Sequence, residues 1–244
     1  MTGDGWTDAV RRQLGLGRVL PLGGPRDGSW LTEACANGVL RHAAERVSGV
    51  RLGGLRVALA DPSTAYAPSV PSPPSALPPG PLRITAQFAA EPTEPLPAVA
   101  ARLRAALFAA ADERLGLVVD EVDLGVTTLL DAGQAPVDVP RDMQEAPDGA
   151  QAPPGSGDEA RAASAALGVP GVRRLTGALG GFGRAVHLDA SPARDGALPR
   201  RHARVELATD REHRALDVAL AVRTAVGDAL TDHPTVAVLV TAVE

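Results

Sequence analysis

The sequence predicts an α/β protein of the α+β type, built as two tandem αββαβ units. Each unit is expected to be a small, mainly antiparallel sheet with two helices on one face. Three observations predict this. Apolar residues recur first at helical and then at alternating spacing, and the whole order appears twice. Matching dipeptides stand at corresponding places: Gly49-Val50 and Gly171-Val172, Leu103-Arg104 and Val222-Arg223, Val126-Thr127 and Val240-Thr241. A proline-rich acidic stretch separates the copies.

Residues 1–28 read as an N-terminal extension. Trp6, Val10 and Leu14 fall at i, i+4 and i+8, and Gly15, Gly17, Pro21, Gly23, Gly24 and Pro25 then break regular structure. This arm is expected to pack on the first unit or on a partner.

The first unit spans 29–130. Leu31, Val39, Leu40, Ala43 and Val47 share one helical face, predicting a helix over Ser29–Val47 that Gly49 ends. Leu55, Val57 and Leu59 alternate as in a half-buried strand. The stretch 62–81 is rich in proline and serine and predicts a long flexible loop. Leu82, Ile84, Ala86 and Phe88 alternate again. Pro95 and Pro97 open the next helix, where a missing N–H is harmless. Leu96, Val99, Leu103, Leu107 and Ala110 are its inner face, and Gly116 closes it. Val118, Val122, Leu124 and Val126 form the last strand.

Residues 131–157 are a linker with five prolines and five acids against one arginine. It holds most of the chain's net charge of −5, so the flanking units are near neutral. The second unit, 158–244, repeats the order. Ser156 and Glu159 read as a capping box before an Ala-rich helix, and Thr209 and Glu212 as another. Val186 with Leu188 and Val205 with Leu207 alternate. Leu216, Leu220, Val226 and Leu230 line a helix, Pro234 stops it, and Thr235–Val243 is strand-like.

Composition narrows the function. Hydrophobic residues make up 45% but aromatics only 2%, so the core must be Ala, Val and Leu. The chain has no lysine and only one isoleucine, Ile84, a bias that suits a GC-rich genome such as an actinobacterial one. A net-acidic chain without basic runs argues against non-specific nucleic-acid binding. Cys35 is the sole cysteine, which excludes an intramolecular disulfide framework and a cysteine zinc site. The N-terminus lacks a positive n-region, and no apolar run approaches the roughly 18–20 residues of a membrane span, so a cytoplasmic protein is expected.

The helix that runs into Ser48-Gly49-Val50, the segments Glu94-Pro95-Leu96-Pro97, Leu115-Gly116-Leu117 and Val122-Asp123-Leu124-Gly125-Val126, and the fuller Val169-Pro170-Gly171-Val172 together resemble the alkaline shock protein family of bacterial envelope-stress proteins. Ser48 stands where that family has proline. Some actinobacterial proteins of this tandem type go under a nucleopolyhedrovirus p-ten family name, which implies no mechanism. The resemblance implies a non-enzymatic interaction or scaffold protein of the envelope-stress response. It would be cytoplasmic and recruited near the membrane by protein partners, either family members or a membrane-anchored protein, without inserting itself. Homo- or hetero-oligomers are in keeping with it.

Chemistry-bearing patterns are sparse. His42, His187, His202, His213 and His233 show no metal-ligand spacing, and no metal, cofactor or catalytic residue is assigned. His187 and Asp189 alternate onto one strand face, a weak acid–base pair against the commoner solvated face. Cys35 reads as a buried small apolar residue. Gly180, Gly181, Gly183 and Arg184 form a weak anion-loop candidate, because a strand follows them instead of a helix N-terminus. They support an alternative reading, a small-ligand or anion-binding regulatory module between the two repeats. Arg200-Arg201-His202-Ala203-Arg204, if extended, splits across two faces. Trp6 and Trp30 are the candidate interface residues.

Overall fold

The computed structural model describes residues 17–130, 157–178, 184–191 and 200–244. In chain order these form β1 (Val19–Leu22), β2 (Ser29–Thr32), α1 (Glu33–Glu45), β3 (Val50–Leu59), β4 (Leu82–Ala90), α2 (Leu96–Ala109) and β5 (Val119–Leu129). They continue with α3 (Asp158–Leu167), β6 (Val172–Leu175), β7 (Val186–Ser191), β8 (Arg200–Thr209), α4 (Ala215–Ala229) and β9 (Thr235–Val243). The αββαβ order is present twice, and the α+β class holds.

The small sheet has the order β3-β4-β5, and the large one β1-β2-β9-β8-β6, with β7 also on β8. β6 and β7 pair antiparallel with successive stretches of β8 and act as two halves of one strand. Their counterpart β3 is continuous but has an irregularity between Leu52 and Leu55, at Gly53 and Gly54. Val50 faces Ala90 and Leu55 faces Ala86 in the first unit. Val172 faces Thr209 and Val186 faces Val205 in the second. The repeat therefore carries an insertion at the place of the Gly53–Gly54 bulge.

The third strand of each unit departs from the antiparallel expectation, since β4/β5 and β8/β9 are parallel. A helix lies between each of these strand pairs and returns the chain to the end it left, which requires a parallel neighbour.

Local chemistry explains the helix ends. The Thr32 hydroxyl accepts from the Cys35 amide and caps α1, and Glu33 sits in its first turn, where a negative charge suits the helix dipole. Pro95 caps α2, which buries Val99, Leu103 and Leu107 and runs on into a π-helical turn over Ala110–Leu115. Gly116, with φ of 87°, ends that turn.

Of the two expected capping boxes, the one that begins at Ser156 falls outside the described residues, and the one at Thr209 and Glu212 does not form. The N-cap of α3 is Gly157, with no side-chain cap bond. Thr209 is buried in the sheet. Asp210 instead accepts from the amides of Glu212 at 3.0 Å and His213 at 2.9 Å, and α4 begins later, at Ala215.

Three further expectations change. Ser29–Thr32 is a strand and not the first turn of α1, because β2 pairs parallel with β9 and its side chains alternate, Leu31 inward and Trp30 outward. The arm therefore joins the second unit's sheet as the β1–β2 hairpin, although it precedes the first unit in sequence. The proline-rich stretch 62–81 is an ordered cover and not a flexible loop. Leu77 N–H donates to the Val19 carbonyl at 2.8 Å and Ser69 N–H to that of Pro25 at 3.2 Å. Val70 is buried with Val19, Trp30, Ala237 and Leu239 on the outer face of the large sheet. Proline lacks a donor for a ladder, yet its neighbours still supply these bonds.

The helical faces of both sheets share one core, which runs from Ile84, Phe88 and Leu103 through Leu31 and Leu40 to Val222, Val226 and Val238. Helix α1 lies at the junction, packed on β3 and on β2 and β9. Where the units meet, the Gly23 amide donates to the Gly116 carbonyl at 3.1 Å, and Arg214 pairs with Asp112 at 2.7 Å.

Candidate functional site

The two repeats present the same strand edge in different states. In the second unit, the outer edge of β9 is occupied by β2, with Ser29, Trp30 and Leu31 opposite Val238, Leu239 and Val240. Val236, Val238 and Val240 on the helical face are all buried. In the first unit the corresponding strand is β5. Among the described residues it pairs only with β4, so its outer edge offers unpaired backbone donors and acceptors.

An apolar strip runs beside that edge. Val122, Leu124 and Val126 stand opposite Ile84, Ala86 and Phe88, all buried, and so share the helical face. Burial fades along the strand: Val122 is buried, Leu124 is half-buried, Val126 is 44% exposed and Leu129 is 53% exposed. In the sequence Val126 reads as a strand residue with nothing to mark it as surface. The signal is its match to Val240, whose edge partner Leu31 has no counterpart beside β5 among the described residues.

Charge on β5 is one-sided. Asp120, Glu121 and Asp123 lie in its first half, and residues 124–130 carry none. Arg83 on β4 pairs with Glu121 at 2.5 Å and reaches Asp123 at 3.5 Å across the solvated face. Gly125 leaves open space, with nothing within 4 Å of where a Cβ would stand.

The outer face of the large sheet holds the titratable groups. His187 faces Arg204 and Asp189 faces His202 across β7 and β8, so these four share one face. His187 Nε2 engages the Arg184 carbonyl at 3.0 Å, and no hydrogen bond joins it to Asp189 among the described contacts. His202 Nδ1 lies 2.8 Å from the Thr235 hydroxyl. Burial lowers the pKa of both histidines, and Arg204 adds to the effect at each. Fully buried Glu206 accepts from the Ala178 amide at 2.7 Å and lies 3.6 Å from Arg204, fixing the segment that follows β6. No sequence pattern marked Glu206. Arg201 points to the other face and pairs with Asp158 of α3 at 2.7 Å, so the basic stretch does divide.

The remaining candidates separate. Trp30 is 1% exposed, held between β9 and the proline-rich cover, so it anchors the arm inside the chain and offers no surface to a partner. Trp6 and Gly180, Gly181 and Gly183 lie outside the described residues. Arg184 is exposed and reaches Glu159 of α3 at 3.9 Å, within the second unit and not between the repeats. Cys35 is buried, which pushes its thiol pKa up to about 12 and leaves the thiolate unavailable at neutral pH.

A cleft of about 440 Å³ opens between α4, the start of β9 and the cover, lined in part by Val70, Arg223, Thr224 and His233. Arg223 donates there to the carbonyls of Val236, Arg26 and Asp27, which ties the arm to the second unit. Among the described residues no group of three His, Cys, Asp or Glu is placed to hold a metal, and no helix is long and apolar enough to cross a membrane.

No protein-family model matches the chain, and neither does any curated protein. Solved structures of MamM C-terminal domain variants superpose on part of it. One is 17% identical with a TM-score of 0.25, covering 38% of this chain and 89% of that one. A second is 15% identical with a TM-score of 0.26, covering 39% and 98%. A superposition this loose carries no functional weight.

Proposed function

We propose that this chain is a non-enzymatic interaction protein that binds a protein partner along the outer edge of β5. One observation carries the reading. Val126 and Val240 hold corresponding places in the two repeats, but Val240 is fully buried beside an added strand while Val126 is 44% exposed on an edge unpaired among the described residues. Strand addition suits such a place, because backbone hydrogen bonds supply affinity and alternate side chains supply selectivity. The envelope-stress role implied by the family resemblance fits an adaptor of this kind, held near the membrane by what it binds.

The test is co-purification from cells of the intact chain and of a Val126→Lys/Leu129→Lys variant. Partners recovered with the intact chain and lost from the variant are expected. An identical set from both would count against the reading.

A further inference from the structure

We infer that β5 pairs antiparallel with the β5 of a second copy of this chain, about a two-fold axis at Leu124, joining two small sheets into one of six strands. The inference rests on the proposed interaction role of this edge and names its occupant.

The segment that corresponds in the first unit to the strand filling the second unit's edge is a poor occupant. The large sheet's edge is filled by Ser29–Thr32, the residues immediately before α1. The residues immediately before α3 read Pro153-Pro154-Gly155-Ser156-Gly157, a composition poor in strand formers and without apolar alternation. The two edges are thus inequivalent by sequence as well as by exposure.

Charge then selects the arrangement. All carboxylates of β5 lie in its first half, so a parallel second copy in register would set like charges side by side. An antiparallel copy sets the acidic half against the uncharged half. Pairs across an axis perpendicular to the sheet must share a face, so the axis passes through a residue. An axis at Asp123 would bring two carboxylates together. With the axis at Leu124, Asp123 faces the partner's Gly125, and Glu121 lies against the partner's Thr127, at the irregularity that skips Thr127 in the pairing with β4. Val122 faces the partner's Val126, and the two copies of Leu124 meet. The open space over Gly125 admits the opposing side chain. The strand of 11 residues is long enough for the overlap, and the exposed part of the apolar strip is covered.

Light scattering on the intact chain is expected to give twice the 24.9 kDa monomer mass. Val126→Lys/Leu129→Lys is expected to give the monomer mass with unchanged circular dichroism, since both side chains are exposed. Under oxidised glutathione, Leu124→Cys is expected to form a cross-linked dimer, because directly opposed residues lie about 4.5–5.5 Å apart at Cα, within disulfide reach. Gly125→Cys, offset diagonally from itself by about 7–8 Å, should cross-link at least several-fold more slowly. Buried Cys35 leaves the assay unconfused. An intact chain of monomer mass, a dimer untouched by the lysines, or equal cross-linking at both positions would overturn the inference. A monomeric intact chain whose cellular partners still depend on Val126 would overturn the self-pairing alone and leave the interaction role standing.

Discussion

Val126 and Val240 occupy corresponding positions on the last strand of each repeat, yet one is 44% exposed and the other is fully buried. The difference arises from β2, which pairs along the outer edge of β9, and from α1, which packs on β9; neither has a counterpart at β5 among the described residues. A mutational pair reads it directly. Val240→Ala should cost about 2 kcal/mol through lost burial and a residual cavity. Val126→Ala should stay within about 0.5 kcal/mol, as at most surface sites. Urea unfolding of both variants measures the contrast.

Trp30 ties the arm to the second unit. Its ring is buried among Val19, Val70, Ala237 and Leu239, but its indole N–H has no acceptor among the described residues. Trp30→Ala should cost about 3–5 kcal/mol. Trp30→Phe should cost far less, because losing an unsatisfied donor offsets part of the lost volume. Equal losses for the two variants in chemical denaturation would show that the indole nitrogen is satisfied after all.

The inter-unit seam depends on a glycine. A Cβ on Gly116 would stand 2.4 Å from Leu216 Cβ, and its φ of 87° already disfavours other residues. Gly116→Ala should lower the melting temperature markedly, by several degrees for each kcal/mol lost. Gly125→Ala meets open space, and its melting temperature should stay close to that of the parent chain.

Much of this architecture was legible in the sequence, and what was not has physical causes. The doubled element order was readable because Val, Leu and Ala alternate or recur cleanly in each strand and helix. The docking of the arm was not, since Ser29–Thr32 is apolar enough to extend α1 backwards and becomes a strand only through β9, more than 200 residues away. The proline-rich cover reads as flexible because prolines deny it a ladder, while what holds it is Val70 seated against Trp30 and the Leu77 and Ser69 amides bonded to Val19 and Pro25. The capping box expected at Thr209 and Glu212 gave way to a tertiary demand, as the sheet buries Thr209. The histidine face was half visible. His187 and Asp189 alternate in sequence, but the pairing with His202 and Arg204 requires the register of β7 on β8.

Titration should show two separate windows. Burial holds His202 below the ordinary histidine range, so the unfolded chain binds its proton more readily than the folded one. Stability is full above the unfolded value near 6.5 and falls as pH drops below it, towards the folded pKa. Glu33 acts at lower pH. Burial pushes its pKa up, but the hydrogen bonds and charge of Arg18, 2.9 Å away, outweigh this and lower it overall. Its contribution is present above the unfolded carboxylate range and is lost as pH falls through its folded value. Thermal melts from pH 8 to pH 4 should therefore soften first below neutrality, and His202→Gln should shrink that first step to the share of His187, which burial lowers in the same direction.

The most direct measurement is hydrogen exchange on the intact chain at two protein concentrations. The amides of β9 should be protected at both, since β2 and β8 flank them in the same molecule. The outward-facing amides of β5 should exchange quickly when dilute and become protected when concentrated, as a second copy adds its strand. Exchange in β5 that is fast at both concentrations, or protected at both, would contradict an open edge that closes by self-pairing.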